Sequence, residues 1–270
     1  MPELPEVETT LRGVSPALLQ HKIVRIDIRE RRLRWPVDDG IAKLAGQTVR
    51  QLQRRGKYIL IGTDAGTALL HLGMSGNLRI VPPDTPLIKH DHFDIVLADA
   101  IVRFNDPRRF GSLLWTDGDP LNHQLLQELG PEPLGDDFDT AYLFALSRGR
   151  SVAIKQFIMN SKVVVGVGNI YASESLFRAG INPKKAAGKI SRQRYEKLVA
   201  VIKDVLREAI EQGGTTLRDF HGTDGKPGYF RIKLKAYDRA GEPCENCDTP
   251  IKHIVQGQRA TYYCPRCQRV

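Results

Sequence analysis

The chain has 270 residues, 41% of them apolar, and its 40 Lys and Arg outweigh 31 Asp and Glu to give a formal charge of +9. That length fits one large domain or two ordinary ones, the apolar fraction excludes a disordered tail protein, and the excess of cations favours a polyanionic partner, most often nucleic acid. Apolar runs such as Val163–Val165 fall far short of the roughly 18 residues of a membrane span, and the acidic, proline-bearing start is unlike a signal peptide, so a cytosolic protein with no membrane partner is expected.

The elements read in chain order as follows. Pro5 suits a first helical turn, and Val7, Leu11 and Val14 repeat at helical spacing, which predicts a helix from Pro5 to about Leu19. Short apolar stretches then alternate with Gly and Asp turn signals: Ile23–Ile28, Tyr58–Ile61, Ala68–Leu72, Leu78–Val81, Phe93–Leu97 and Ile101–Phe104. Several short strands in succession predict an antiparallel sandwich. The Pro-rich, acidic segment from Gly130 to Asp139 reads as a linker. Beyond it the periodicity turns helical, over Ser151–Asn160, over Ile170–Ala179, and from an N-cap at Ser191 to Gly213. The expected class is α+β: an N-terminal antiparallel β-sandwich with flanking helices over 1–131, a linker over 132–150, a helical module over 151–229 and a zinc-finger hairpin over 230–270.

All four cysteines lie in the last 27 residues, as Cys244-Glu-Asn-Cys247 and Cys264-Pro-Arg-Cys267 with 16 residues between the pairs. Paired CxxC turns at this separation suit a tetrahedral site for one structural Zn2+, each turn giving two thiolates and the intervening segment a hairpin. Two disulfides or a redox CxxC are the plain alternatives. Four protein ligands close the coordination sphere, so such a zinc folds the tail and does not catalyse.

At the other end, removal of Met1 would leave Pro2 as a free secondary amine. An α-amino group titrates near 7.7–8.0 in model peptides, so part of it is unprotonated at cellular pH. A secondary amine that attacks a sugar C1′ gives an iminium ion, which has no N–H to lose and stays an electron sink. Glu3 and Glu6 follow at once. A carboxyl desolvated by substrate has the raised pKa of a general acid, although acidic residues also favour any first helical turn. Lys57 ends the basic run Arg54-Arg-Gly-Lys57. Met74 sits among glycines in His71-Leu-Gly-Met-Ser-Gly76, and Asp106-Pro-Arg-Arg-Phe110 pairs cations with an aromatic; both compositions suit tips that wedge into a base stack, or equally core packing. Val165-Gly-Val-Gly-Asn169 leads into a helix, where free N–H groups suit a phosphate and Asn169 is expected to cap.

Taken as an ordered set from end to end, these motifs resemble the formamidopyrimidine-DNA glycosylase family of bacterial oxidised-purine repair enzymes. The resemblance implies a base-excision glycosylase with abasic-site lyase activity that removes 8-oxoguanine and formamidopyrimidines and cuts by β,δ-elimination. Pro2 would be the Schiff-base nucleophile, Glu3 the acid for base loss and ring opening, Glu6 its support, Lys57 a proton donor, and Arg259 the residue of δ-elimination and a phosphate contact. Met74, Arg108 and Phe110 would fill the space left by the flipped base and contact the orphan cytosine, His90, Arg108 and Arg150 would bind DNA, and Lys155 and Asn169 would contact lesion and phosphate. The loop Thr215–Tyr229 would cover the flipped base, and the helical module would be of the helix–two-turn–helix type. The implied partner is duplex DNA with oxidised purines or abasic sites, bound by a monomer. Arg150, in place of an expected lysine, and Asn160-Ser161 depart from the family pattern. The competing readings are an endonuclease VIII-like glycosylase for oxidised pyrimidines and a non-catalytic zinc protein that binds damaged DNA.

Overall fold

The computed structural model describes residues 2–213 and 234–269. The expected lid, Thr215–Tyr229, lies outside the described residues. The chain divides into two compact units, the first ending at Glu128 and the second running from Leu129 to Glu211 and resuming in the zinc segment.

In the first unit, helix α1 (Leu4–Leu18) precedes eight strands: β1 (Arg25–Ile28), β2 (Gln51–Arg55), β3 (Tyr58–Thr63), β4 (Gly66–His71), β5 (Asn77–Val81), β6 (Asp91–Val96), β7 (Ile101–Asn105) and β8 (Ser112–Thr116). They form two four-stranded antiparallel sheets, ordered β1-β6-β7-β5 and β2-β3-β4-β8. Alternate apolar residues of both sheets meet in one core with Val7, Leu11, Val14 and Leu18 of α1, as expected of a sandwich whose strands hide one face. β2 and β8 carry polar or mixed residues and lack the apolar signature by which the other strands are read. They are held by register, Arg54 opposite Ile59 and Ser112 opposite His71.

The second unit holds α2 (Thr140–Ser147), α3 (Ile154–Met159), α4 (Asn169–Ala179), α5 (Arg192–Glu211) and the hairpin β9 (Lys252–Gln256) and β10 (Arg259–Tyr263). The stretch 132–150, expected to be a linker, instead contains α2. Asp139 caps it by accepting the Tyr142 N–H at 2.7 Å, and Phe138 and Leu143 are fully buried. Its apolar residues face all round, so no stripe announces the helix beneath the Pro-rich composition. The stripe of α5 is buried at Tyr195, Leu198, Ile202 and Leu206. Among the described residues no helix is long and apolar enough to cross a membrane.

Candidate active site

The N-terminus is built by a reciprocal capping box. Glu3 is the N-cap of α1, its side chain accepts from the backbone of Glu6, and the Glu6 carboxylate accepts the Glu3 N–H at 2.8 Å. Both carboxylates are buried, Glu3 at 2% exposure and Glu6 at 0%, and Pro2 beside them is buried too. Thus the expected first-turn role and a rigid presentation of Pro2 coexist in one arrangement.

Lys57 stands with Gly56, at φ +58, in the two-residue turn between β2 and β3. One level below the turn, Arg54 donates to Glu8 of α1 at 2.9 Å and to the Gly56 carbonyl at 3.0 Å, which staples the turn to the helix that follows Pro2. His71 of β4 lies opposite Tyr58, ring centroids 4.8 Å apart. Its Nδ1 accepts the Gly73 N–H at 2.9 Å, so the neutral ring carries its proton on Nε2. Burial, with the nearby charges of Lys57 and Arg34, pushes the imidazole down to about 4. Sequence reasoning gave His71 and Glu8 no role, since a lone His or a single Glu within a helix has no pattern of its own.

The two candidate wedge tips pack against each other. Gly73, at φ +70, lies so close to Phe110 that an added Cβ would meet its carbonyl carbon at 2.3 Å, a position for glycine alone. Met74 is half-buried, Arg108 is exposed, and Phe110 is 42% exposed with the Arg108 guanidinium 4.9 Å above its ring. An aromatic and a guanidinium held in solvent on a tight turn suit insertion beside bases better than core packing. His90 is half-buried and holds the left-handed conformation at φ +73.

In the second unit, Lys155 is buried at 1% exposure, and its ammonium donates at 2.8 Å to both the Ala260 carbonyl and the Thr261 hydroxyl. The amine is engaged by β10 beside Arg259. Arg259 itself is exposed, following the Gly257-Gln258 turn, whose φ angles of 55° and 59° match the hairpin twist. Asn169 is not the N-cap. Gly168 takes that position, Asn169 is the first helical residue, and its buried Oδ1 has no hydrogen-bond partner among the described residues. Arg150 is exposed. Glu174, 2% exposed, accepts the backbone N–H groups of Lys235, Ala236 and Tyr237 at 2.8–2.9 Å and anchors the chain as it enters the zinc segment. A glutamate inside an amphipathic helix gives no sign of this in sequence.

The four cysteines converge as expected. All four Sγ atoms lie within 4.8 Å of one another, with separations of 3.4, 3.5 and 3.9 Å among the pairs in contact. Thiolates about 2.3 Å from a central zinc sit about 3.8 Å apart in a tetrahedron, so the set fits one structural Zn2+. The thiols are free, which sets aside the disulfide alternative. Phe177, Ala236 and Ile251 pack around the knuckles, and Gln268 bonds both Cys264 N and the Ile181 carbonyl, tying the finger to α4's C-terminal end.

The sequence matches the formamidopyrimidine-DNA glycosylase N-terminal domain over residues 1–113, the formamidopyrimidine-DNA glycosylase H2TH domain over 129–221, and the zinc finger found in FPG and IleRS over 241–270. It is 58% identical to the formamidopyrimidine-DNA glycosylases of Pseudomonas putida and of Cellvibrio japonicus, over the whole of each chain. The crystal structure of the MutM (Fpg) protein from Thermus thermophilus superposes with a TM-score of 0.89 at 34% identity, covering 99% of this chain and 98% of that one. A Lactococcus lactis Fpg variant in complex with DNA containing Fapy-dG gives 0.92 at 32% identity, with full coverage of both chains. The chain belongs to the formamidopyrimidine-DNA glycosylase family.

Proposed function

We propose that this chain is a bifunctional DNA glycosylase and abasic-site lyase that excises 8-oxoguanine and ring-opened purines from duplex DNA. The observation that carries the reading is the buried Pro2-Glu3 terminus, fixed by the Glu3–Glu6 capping box at the start of α1. The relatives from Lactococcus lactis, crystallised with Fapy-dG and with abasic-site DNA, support the same substrates here.

The chemistry follows from the residues. With Met1 removed, the Pro2 nitrogen attacks C1′ while the damaged base departs with a proton. Glu3 protonates the ring oxygen as the sugar opens, and the iminium on Pro2 then acidifies C2′. Loss of the C2′ proton expels the 3′ phosphate, and a second elimination expels the 5′ phosphate. Glu6 holds the Glu3 amide and so orients the Pro2–Glu3 peptide. Lys57 serves base release and β-elimination from its stapled turn, and Arg259 neutralises phosphate during δ-elimination. Met74, Arg108 and Phe110 occupy the gap in the stack, offsetting the few kcal/mol of unstacking. His90, Arg150 and Asn169 hold the backbone, and the finger, closed on zinc by Cys244, Cys247, Cys264 and Cys267, presents β10. Lys155 acts in this scheme through β10, holding the strand that begins at Arg259. The protein works as a monomer on damaged duplexes in the cytosol, nucleoid-associated by function.

A panel of duplexes with 8-oxoguanine, formamidopyrimidine or an oxidised pyrimidine opposite its partner tests the substrate class. Cleavage at the purine lesions, with ends bearing phosphate on both sides of a one-nucleotide gap, is the expected result. Preference for the pyrimidine lesion would move the chain to the endonuclease VIII-like branch.

A further inference from the structure

Asp106 is fully buried at 0% exposure, and every polar group of it is spent on the turns that carry the candidate DNA contacts. Its Oδ1 accepts from the Ser75 hydroxyl at 2.6 Å and from the Arg108 N–H at 3.3 Å. Its Oδ2 accepts from the Gly111 N–H at 2.8 Å. Its own N–H donates to the His90 carbonyl at 3.1 Å, and its carbonyl is bonded by the His92 Nε2 at 2.7 Å. One residue therefore reaches the turn of Met74, the turn of Arg108 and Phe110, and the His90 corner. The glycines show how closely these turns interlock: Gly73 abuts the Phe110 carbonyl, and a Cβ on Gly111 would lie 3.2 Å from the Asp106 carboxylate.

We propose that Asp106 is a positioning residue that locks the Met74, His90 and Arg108–Phe110 turns into one rigid unit, and thereby sets recognition of the base opposite the lesion. The proposal rests on the glycosylase reading above. Asp106 touches no DNA in it. Fixing turn tips before DNA arrives removes the ordering cost that free loops would meet on binding. It also fixes the backbone from which the Arg108 side chain projects over the Phe110 ring, and discrimination between orphan bases depends on where that side chain starts. A carboxylate suits the task because it accepts from three donors at once, and bonds to a charged acceptor are the stronger kind. The asparagine variant keeps one acceptor oxygen and turns the other position into a donor facing the Gly111 N–H.

The test compares wild type, Asp106→Asn, Asp106→Ala and Ser75→Ala on duplexes with 8-oxoguanine opposite cytosine or adenine, and on a single-stranded abasic oligonucleotide. The single strand needs the Pro2 chemistry but has no orphan base to recognise. Loss of bonds to a charged acceptor predicts that Asp106→Ala lowers kcat/KM on the cytosine duplex by about tenfold or more. The cytosine-over-adenine preference shrinks with it, while single-strand cleavage stays within about twofold of wild type. Asp106→Asn and Ser75→Ala, which each spare part of the hub, give the same pattern in smaller degree. If Asp106→Ala does not fold, Ser75→Ala decides, since it removes the 2.6 Å bond and leaves only a small hole. A folded variant with an unchanged cytosine-over-adenine ratio overturns the proposal. So does a proportional loss on duplex and single strand, which is the mark of a general structural role. Failure of the wild type to cut the 8-oxoguanine duplex would instead remove the parent reading.

Discussion

The burial of Lys155 gives a sharp prediction, because a lysine at a DNA-contact position and a lysine inside the protein respond differently to replacement. Lys155→Met keeps the length of the side chain and removes the ammonium that bonds the Ala260 carbonyl and the Thr261 hydroxyl. Thr261 is itself fully buried, so its hydroxyl gains no water in exchange. Two charge-assisted bonds are worth about 1.5–3 kcal/mol each, partly offset because an ammonium no longer has to be desolvated, which leaves about 2–4 kcal/mol of lost stability. That corresponds to a fall in Tm of about 10 °C. Because the loss falls on the start of β10, the exposed Arg259 loses its fixed base, and δ-elimination suffers more than β-elimination. Differential scanning calorimetry reads the first effect, and gel separation of β from β,δ products on abasic DNA reads the second. An unchanged Tm with a uniform loss of DNA affinity would refute the reasoning and return Lys155 to the DNA surface.

Three further outcomes follow from the geometry. Glu6→Ala removes the acceptor of the Glu3 N–H, costs about 1 kcal/mol of stability and slows Schiff-base formation, whereas Glu6→Gln keeps an acceptor and a smaller defect; equal trapping rates for the two would contradict the capping-box account. His71, pushed down to about 4 from an ordinary 6.5, takes up protons on unfolding, so its contribution is complete above about pH 6.5 and is lost as the pH falls toward about 4. Wild type therefore loses up to about 3 kcal/mol more than His71→Asn across that interval in urea titrations, and parallel curves would dismiss the effect. Chelation releases one zinc per chain, unfolds the β9–β10 hairpin to proteolysis and abolishes duplex cleavage, while the sheets of the first unit keep their circular dichroism; a metal-free finger that stays protease-resistant would speak against a structural zinc.

Much of the fold is legible in residues whose patterns have a physical cause. The six apolar stretches appear as β1 and β3–β7, because short apolar runs bounded by turn residues mark strands packed on a core. The Tyr195–Ile210 stripe appears as α5, and the paired CxxC turns as the four-sulfur cluster with its hairpin. What escapes is set by tertiary partners. β2 is a strand because β3 supplies its ladder, not because Gln51-Leu-Gln-Arg-Arg55 favours one. α2 hides in Pro-rich surroundings and is revealed only by the burial of Leu143. At the candidate site, residue types and order announce Pro2, Glu3, Lys57 and the wedge tips. The burial of Lys155 and the engagement of Glu174 with Lys235–Tyr237 depend on neighbours distant in sequence.

The central claim is that the Pro2 nitrogen forms the covalent intermediate. The most direct measurement is borohydride trapping on a duplex carrying 8-oxoguanine opposite cytosine, followed by mass mapping of the adducted peptide. The account predicts a single adduct on a peptide that begins at Pro2, which establishes Met1 removal, nucleophile and lyase chemistry together. Protein that begins at Pro2, binds this duplex and yields no adduct, or yields one on a lysine, would contradict it.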